Sequence, residues 1–354
     1  MNAQWTAFLQ QASAACSDGQ IAQFGVAEPG LRAALSGGLC CDLSQLGLIR
    51  LQGPDSDSFL QGQLTCDVRQ LRAEHSLLGA YCSPKGRALA CLRLFRHGDA
   101  IYLALPRELV ETTLTRLRRY VLRSRTTLDD ASDELVGIGV AGADSAQVLA
   151  ARLGALPETV NGVTHSAAPD GSGITTLRLP GPVPRFALYG TAADLAVIWT
   201  ALSPICVAAD DTPWRLLDIL AGLPSVYAAT ADAFVPQMLN LDVLDGISFQ
   251  KGCYTGQEVV ARTHYLGKLK RRMYRARLDS SHTPQPGDAL FSAQADASQG
   301  AGRIVDAVAH PEGGQALLAV ALVHCAEQGT LQLGNAEGPV LHLEALPYAV
   351  EATA

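Results

Sequence analysis

The chain has 354 residues, 48% hydrophobic and 17% charged, which is more than one comfortable core holds and suits two or three domains. That apolar content excludes an intrinsically disordered chain and leaves no need for disulfides or metals to hold the fold. A formal net charge of -7 argues against a surface given over wholly to nucleic acid, because phosphate binding depends on Lys and Arg releasing counterions; a local basic patch stays open.

In chain order, Met1 to Gln20 has no basic start, and Gln4, Gln10 and Gln11 interrupt any apolar stretch, so no secretion signal is expected. From Leu46 to Phe95 short apolar strands alternate with turn signals. Pro54, Asp55 and Ser56 are expected to open a short helix, and Pro84 to Gly86 to form a hairpin turn. Glu108 to Leu122 reads as a helix, with Leu109, Leu114, Leu117 and Val121 on one face.

Between Val136 and Asp210, GIGVAG reads as a strand and ADSAQVLAARLG as a helix. TTLRLP and RFALYG follow as strands, TAADLAVIWTAL as a helix and ICVAA as a last strand. That βαββαβ order is the split βαβ, ferredoxin-like arrangement. After Gly267 the segments RRMYRARL, AGRIVDAV, ALLAVALVH and PVLHLEAL, separated by Pro and Gly turns, predict a small antiparallel barrel or sandwich. The longest apolar run, Ala316 to Val323, falls far below the roughly 18 to 20 residues that span a bilayer, and is read as a buried strand.

Nine Cys stand at 16, 40, 41, 66, 82, 91, 206, 253 and 325, with no CxxC pair and no zinc-like spacing with His. The pattern suits reduced thiols in a cytoplasm. Cys40 and Cys41 are vicinal and His324 adjoins Cys325, but neighbours in an extended strand face opposite ways and do not share a metal easily. No stably bound metal is expected. Trp5 and Trp199 are expected to pack on helices.

The densest chemistry lies in ISFQKGCYTGQEVVARTHYL, Ile247 to Leu266. Gly252 and Gly256 punctuate a tight loop, and Thr255 with Glu258 three residues on matches a capping box for a following helix. Cys253 would then lie near a helix N-terminus, where free N–H groups and the charge of Lys251 favour a thiolate. Such a thiolate could act as a nucleophile or bind a soft metal. Against this stands the ordinary role of a lone Cys as a small buried hydrophobe.

The string KGCYTGQE resembles the KGCYxGQE signature of the YgfZ family, relatives of the folate-dependent aminomethyltransferase of the glycine cleavage system. SFLQGQLTCDV from Ser58, SPKGRALACLRLF from Ser83, WRLLDILAGLP from Trp214, FVPQMLNL and the terminal LPYAVE also look like family segments in family order. The resemblance implies an α+β, three-domain aminomethyltransferase-like ring with a ferredoxin-like βαββαβ domain and a C-terminal antiparallel β-barrel. Its domains would be a discontinuous folate-binding core of residues 1–135 plus 211–266, a ferredoxin-like domain of 136–210 and a barrel of 267–354. It further implies a tetrahydrofolate-binding accessory factor for assembly or repair of iron–sulfur enzymes, including tRNA-modifying ones, with those enzymes as partners.

Carried over, Lys251, Gly252, Cys253, Tyr254, Gly256, Gln257 and Glu258 occupy the signature, with Cys253 as the essential thiol, and Trp214 occupies a folate-contact position. At a second such position an aromatic is replaced by Leu46. Where the transferases carry a GGxxDD-like acidic segment this chain has KGRALA, with Leu89 and Ala90 in place of the acids. An alkyl group neither accepts a proton nor stabilises a developing iminium, so classical aminomethyl transfer is not expected. A folate-dependent one-carbon transferase with another acid/base group and a non-catalytic folate-binding interaction protein are the alternatives.

Asp67, Asp242 and Glu258 are carboxylates in or near matched segments, with capping or solvated roles as the plain reading. RLRRYVLRSR, Arg116 to Arg125, and KLKRRMYRAR, Lys268 to Arg277, concentrate positive charge. Either is a solvated face or a patch for the polyglutamate tail of folates, an RNA or an acidic protein. Nucleic acid is not expected as the main partner, nor a membrane.

Overall fold

A long stretch of period-3.6 and period-2 segments between Val136 and Ala209 folds around one apolar layer, in a computed structural model that describes residues 2–12, 15–17, 20–24, 27–167, 173–265, 267, 269–296 and 300–350. By proximity of their backbones the residues form two units. The first comprises Met1–Phe59, Arg69–Leu77 and Arg93–Leu217, the second Leu60–Val68, Leu78–Leu92 and Asp218–Ala354.

In the first unit, the strand Val136–Ala141 is buried along its whole length and runs into the helix Ala143–Leu153. The strands Val163–Ala167, Gly173–Leu179 and Arg185–Gly190, the helix Ala192–Leu202 and the strand Val207–Ala209 follow. This is the expected βαββαβ order with two differences. Val163–Ala167 adds an edge strand, and Leu39–Asp42 inserts between Val136–Ala141 and Val207–Ala209, antiparallel to the former and parallel to the latter. Polar VTHSA carries no apolar alternation to announce a strand, and the pairing of residue 39 with 141 is not encoded locally.

The core of this sheet gathers Trp5, Leu9, Ile138, Val140, Leu188, Leu195 and Trp199. Trp5, on the helix Ala3–Gln11, meets Trp199 edge-on at 5.8 Å, as expected of packing residues. Its indole Nε1 donates to Asp42 Oδ1 at 2.7 Å, and Ser44 donates to the same carboxylate from its amide at 3.0 Å and its hydroxyl at 2.9 Å.

Burial pushes the Asp42 carboxyl from 3.8 up to about 6, against the pull of those three donors. Because the folded value lies above the unfolded one, the stabilisation brought by protonation is complete below about pH 4 and is lost as pH rises through about 6. Asp42→Asn is therefore expected to flatten the decline in stability between those values, read from urea melts by Trp fluorescence. An unchanged slope would place the titration on another group.

The unit's remaining strands, Leu46–Gln52, Ala100–Pro106 and Thr127–Asp130, pair antiparallel, and Arg93–His97 pairs with Ala100–Ala104. The helix Ser56–Gln61 starts where the Pro54 signal puts it. The helix expected over Glu108 to Leu122 is shorter: a 3-10 turn Arg107–Leu109, then an α-helix Val110–Arg118. It stops because the chain reverses through Leu122 at φ 41, after which the Arg125 amide and guanidinium bind Asp55. Val121 thus leaves the apolar face it was assigned.

In the second unit the C-terminal residues form a six-stranded antiparallel sheet. Arg271–Leu278 lies between Gln315–Leu322 and Leu341–Glu344, Gln315–Leu322 pairs Gly302–Ala309, and Ala289–Phe291 joins Gly302–Ala309 to Gln332–Leu333. A bridge between Gln332 and Val340, with the Leu341 amide donating to Leu331 at 2.9 Å, closes the sheet on itself. The expected barrel is thereby formed, and closure removes its edges. Ala276, Ile304, Leu317, Ala319 and Ala321 fill it. His324 and Cys325 lie beyond the strand, on the helix Val323–Gln328, where Cys325 Sγ sits 3.3 Å from His324 Nε2. The extended geometry expected to hold them apart does not apply.

Candidate functional site

Three sequence segments meet in the second unit: QLTC at Gln63 to Cys66, SPKG at Ser83 to Gly86 and KGCYTGQE at Lys251 to Glu258. Thr65, fully buried, is the first stitch. Its hydroxyl donates to Gly246 O at 2.6 Å and accepts from the Ala80 amide at 2.8 Å, while its carbonyl accepts from the Ser248 amide at 2.9 Å. Lys251 is the second. Only 6% exposed, it donates from Nζ to the carbonyls of Leu64 and Cys66, each at 2.7 Å, and lies 5.3 Å from the Tyr254 ring centroid. A buried ammonium is tolerated because carbonyl oxygens and the ring face replace its water.

The loop beyond Lys251 divides sharply. Tyr254 is buried, and burial beside Cys82 and Cys66 pushes its phenol well above the usual range. Gly252 and Cys253 are exposed, and a methyl group added to Gly252 would meet nothing within 4 Å. Gly256 adopts φ +83, and a Cβ there would lie 2.4 Å from Ser83 O and 2.8 Å from Gly86 Cα. Gly86, at φ +68, faces back onto Val259 and the Gly256 carbonyl. Two glycines thus let the SPKG turn, closed by the Gly86 amide on Ser83 O at 2.9 Å, lie backbone to backbone on the start of the helix Gln257–Tyr265.

That contact corrects the capping reading. The helix begins at Gln257 with Gly256 before it, one residue later than a Thr255 cap requires, and among the described residues no hydrogen bond joins Thr255 to Glu258. The first turn keeps acidic Glu258 and the last turn Arg262 and His264, a charge order that suits the macrodipole. Gln237 Nε2 anchors the buried face by donating to Val260 O at 2.6 Å.

Among the described cysteines, Cys40, Cys41, Cys66, Cys82, Cys91 and Cys325 are buried, Cys206 is half-buried and Cys253 is exposed; the side chain of Cys16 lies outside the described part. Burial holds the Cys66 thiol at about 12 although the Lys251 charge opposes it. The Lys251 ammonium thus bonds the carbonyls of Leu64 and Cys66 and also favours the ionised form of the Cys66 thiol. No group of three or more His, Cys, Asp or Glu placed to hold a metal occurs among the described residues.

The family model of the GCVT N-terminal domain matches residues 21–160. The tRNA-modifying protein YgfZ of Sodalis glossinidius is 34% identical over 308 residues, covering 87% of this chain and 92% of that protein. Its counterpart in Cronobacter sakazakii is 35% identical over 312 residues, with the same coverage of both chains. The chain belongs to the YgfZ family. Among solved structures, glycine cleavage system aminomethyltransferase T from Bartonella henselae superposes with a TM-score of 0.73 over 99% of this chain and 98% of that one at 15% identity, so the fold is the aminomethyltransferase fold.

The other residues singled out in the sequence fall as follows. Trp214, in the first unit, is 2% exposed. Its ring packs against Gly139, where a Cβ would come within 2.5 Å, and the Arg185 guanidinium lies 4.8 Å from its centroid. Leu46 is half-buried, Leu89 half-buried and Ala90 fully buried, the last two in the strand Ala88–His97. Asp67 accepts from Gln61 Nε2 at 2.9 Å. Asp242 is not solvated but ion-paired with the largely buried Arg272 at 2.7 Å.

The arginines of the second basic stretch resolve the same way. Arg275 pairs with Glu344, Arg277 with Glu312, and Arg271 donates to the carbonyls of Gly300 and Ala301; Lys268, like Glu351 of LPYAVE, lies outside the described residues. In the first stretch Arg118 binds Leu128 O and Arg125 binds Asp55. Sequence reading missed Asp232, whose left-handed φ of 63 presents its carboxylate to the Ser83 hydroxyl at 2.6 Å, and the ring cluster of Phe249, His264 and Tyr265. An Asp followed by Ala-Phe carries no turn signal of its own, and rings fifteen residues apart show no periodicity. No helix among the described residues is long and apolar enough to cross a membrane.

Proposed function

We propose that this protein is a cytoplasmic, tetrahydrofolate-binding accessory factor for tRNA modification, acting in the assembly or repair of iron–sulfur enzymes, with Cys253 as its essential thiol. The observation that carries the reading is the presentation of Cys253: an exposed thiol on a loop fixed on one side by buried Lys251 and on the other by the Gly86–Gly256 contact. Rigid flanks around an exposed nucleophile are what a site needs, whereas a packing cysteine would face inward. A lone thiolate can attack an electrophile or make one transient contact with a soft metal.

Kinship with proteins named tRNA-modifying supports the RNA-modification part, and the GCVT domain supports folate. Classical aminomethyl transfer fits less well, since the strand positions of the missing acids carry Leu89 and a fully buried Ala90. Of the two positions expected to contact folate, Leu46 has no ring and Trp214 has its ring taken up by Arg185 and Gly139. Folate's place in this reading therefore rests on the family fold. Calorimetric titration of the full chain with tetrahydrofolate is expected to give saturable heat. A flat titration up to about millimolar ligand, the weak end of small-molecule affinity, would remove folate and leave the thiol standing.

A further inference from the structure

The last turn of the helix Gln257–Tyr265 carries a cluster of rings that the packing of the fold does not require. Phe249 and His264 stack face to face, with centroids 3.7 Å apart and planes 12° from parallel. Tyr265 meets both edge-on, at 6.2 Å from Phe249 and 4.7 Å from His264. Phe249 is half-buried, His264 is exposed, and Tyr265 is 64% exposed. A tyrosine that open gains little from burial, and three rings gathered at one surface point form a patch of the kind that marks an interaction site.

The charge around the cluster selects its partner. In a chain of net charge -7, Glu258 is the only acidic residue from Ile247 to Arg271. Arg262 lies three residues before Tyr265, on the same helix face, and both it and Lys270 are exposed without an ion pair or side-chain hydrogen bond among the described residues. Lys85, exposed on the SPKG turn that packs against Val259 of this helix, is free in the same sense. Cations interleaved with open rings suit a strand whose bases stack and whose phosphates need neutralising. An acidic peptide would use the cations and leave the rings idle.

We infer that the face formed by Phe249, His264 and Tyr265, with Arg262 on the same helix and Lys85 on the turn packed against that helix, docks a single-stranded segment of RNA, its bases stacking on the rings and its phosphates on the cations. This deepens the tRNA-modification reading and rests on it only for which RNA is bound. Cys253 lies on the loop that leads into the same helix.

The test is fluorescence anisotropy of the full chain, without folate, against a labelled RNA hairpin with a single-stranded loop. The same stem as an uninterrupted duplex and an unlabelled polyglutamate peptide serve as competitors. The hairpin should bind more tightly than the duplex. Tyr265→Ala should weaken it roughly tenfold or more, the effect of losing one stacked base. Arg262→Gln should lower the salt slope by about 0.7, as for one phosphate on a single strand. Both variants should keep the wild-type circular dichroism and the wild-type heat with tetrahydrofolate. Equal binding of hairpin and duplex, a Tyr265→Ala protein of unchanged RNA affinity, or displacement of RNA by polyglutamate at lower concentration than by duplex would each overturn the inference. Loss of folate heat with RNA binding intact would instead strike the folate reading alone.

Discussion

Gly256→Ala is expected to destabilise the second unit by about 3 to 4 kcal/mol, the sum of a left-handed conformation forced on a residue with a Cβ and the displacement of a backbone it would strike. The added methyl would sit 2.4 Å from Ser83 O, 2.8 Å from Gly86 Cα and 2.9 Å from Gly86 N. All three atoms are main chain, so no side-chain rotation relieves them. The SPKG turn must move off the helix, taking with it the Ser83 hydroxyl that donates to Asp232.

Gly252→Ala is the matched control. That position is exposed, with nothing within 4 Å of a new Cβ, so its stability should stay within about 0.5 kcal/mol of wild type. Thermal melts by circular dichroism separate the two. Equal melting temperatures for both variants would mean that the Gly86–Gly256 contact contributes nothing to the fold. A Gly252→Ala protein that is stable but inactive would show that the open side of this glycine is needed by a ligand or client.

Lys251→Met should lower the stability of the same region by about 2 to 4 kcal/mol. Two hydrogen bonds from a charged donor, each worth roughly 1.5 to 3 kcal/mol, are lost, and relief of the ammonium's desolvation returns part of that. Met is close in volume, so the effect isolates the donor from the packing. Because Trp5, Trp199 and Trp214 all belong to the first unit, Trp fluorescence does not follow this change. Hydrogen exchange of the Ser248 amide, bonded to Thr65 O at 2.9 Å, does. Its exchange should quicken by roughly a factor of 30 to 1,000, at one factor of ten per 1.4 kcal/mol; wild-type protection would mean that the Lys251 bonds do not hold the loop.

Much of the fold was legible because its elements are periodic. The βαββαβ order and the barrel strands Arg271–Leu278 and Gln315–Leu322 follow from alternation and helical spacing in the residues themselves. What periodicity does not carry is partnership. Leu39–Asp42 looks like any short strand until Val136–Ala141 and Val207–Ala209 close around it. The run of arginines after Lys270 looks like a patch until Asp242, Glu344 and Glu312 arrive from far along the chain.

The site shows the same division. KGCYTGQE pointed to Cys253, which the fold leaves exposed on its loop, but the place of each neighbour needed the third dimension. Lys251, read as a charge beside the thiol, also clamps the carbonyls of Leu64 and Cys66. Thr255 and Glu258 have capping-box spacing, yet the φ of Gly256 sets the helix start one residue later. Trp214, assigned to a folate contact, has the Arg185 guanidinium against its ring, a partner the sequence does not announce.

The central claim, that Cys253 is where this protein's chemistry resides, is tested most directly by complementation. Cells lacking the protein would be supplied with wild type or Cys253→Ala at matched levels, and the modified nucleosides made by iron–sulfur tRNA-modifying enzymes measured by mass spectrometry. Exposed and without a packing role, the Cys253 side chain can be removed with the melting temperature unchanged. The expected result is a folded variant with nucleoside levels no higher than in the empty-vector cells; full restoration by Cys253→Ala would contradict the claim.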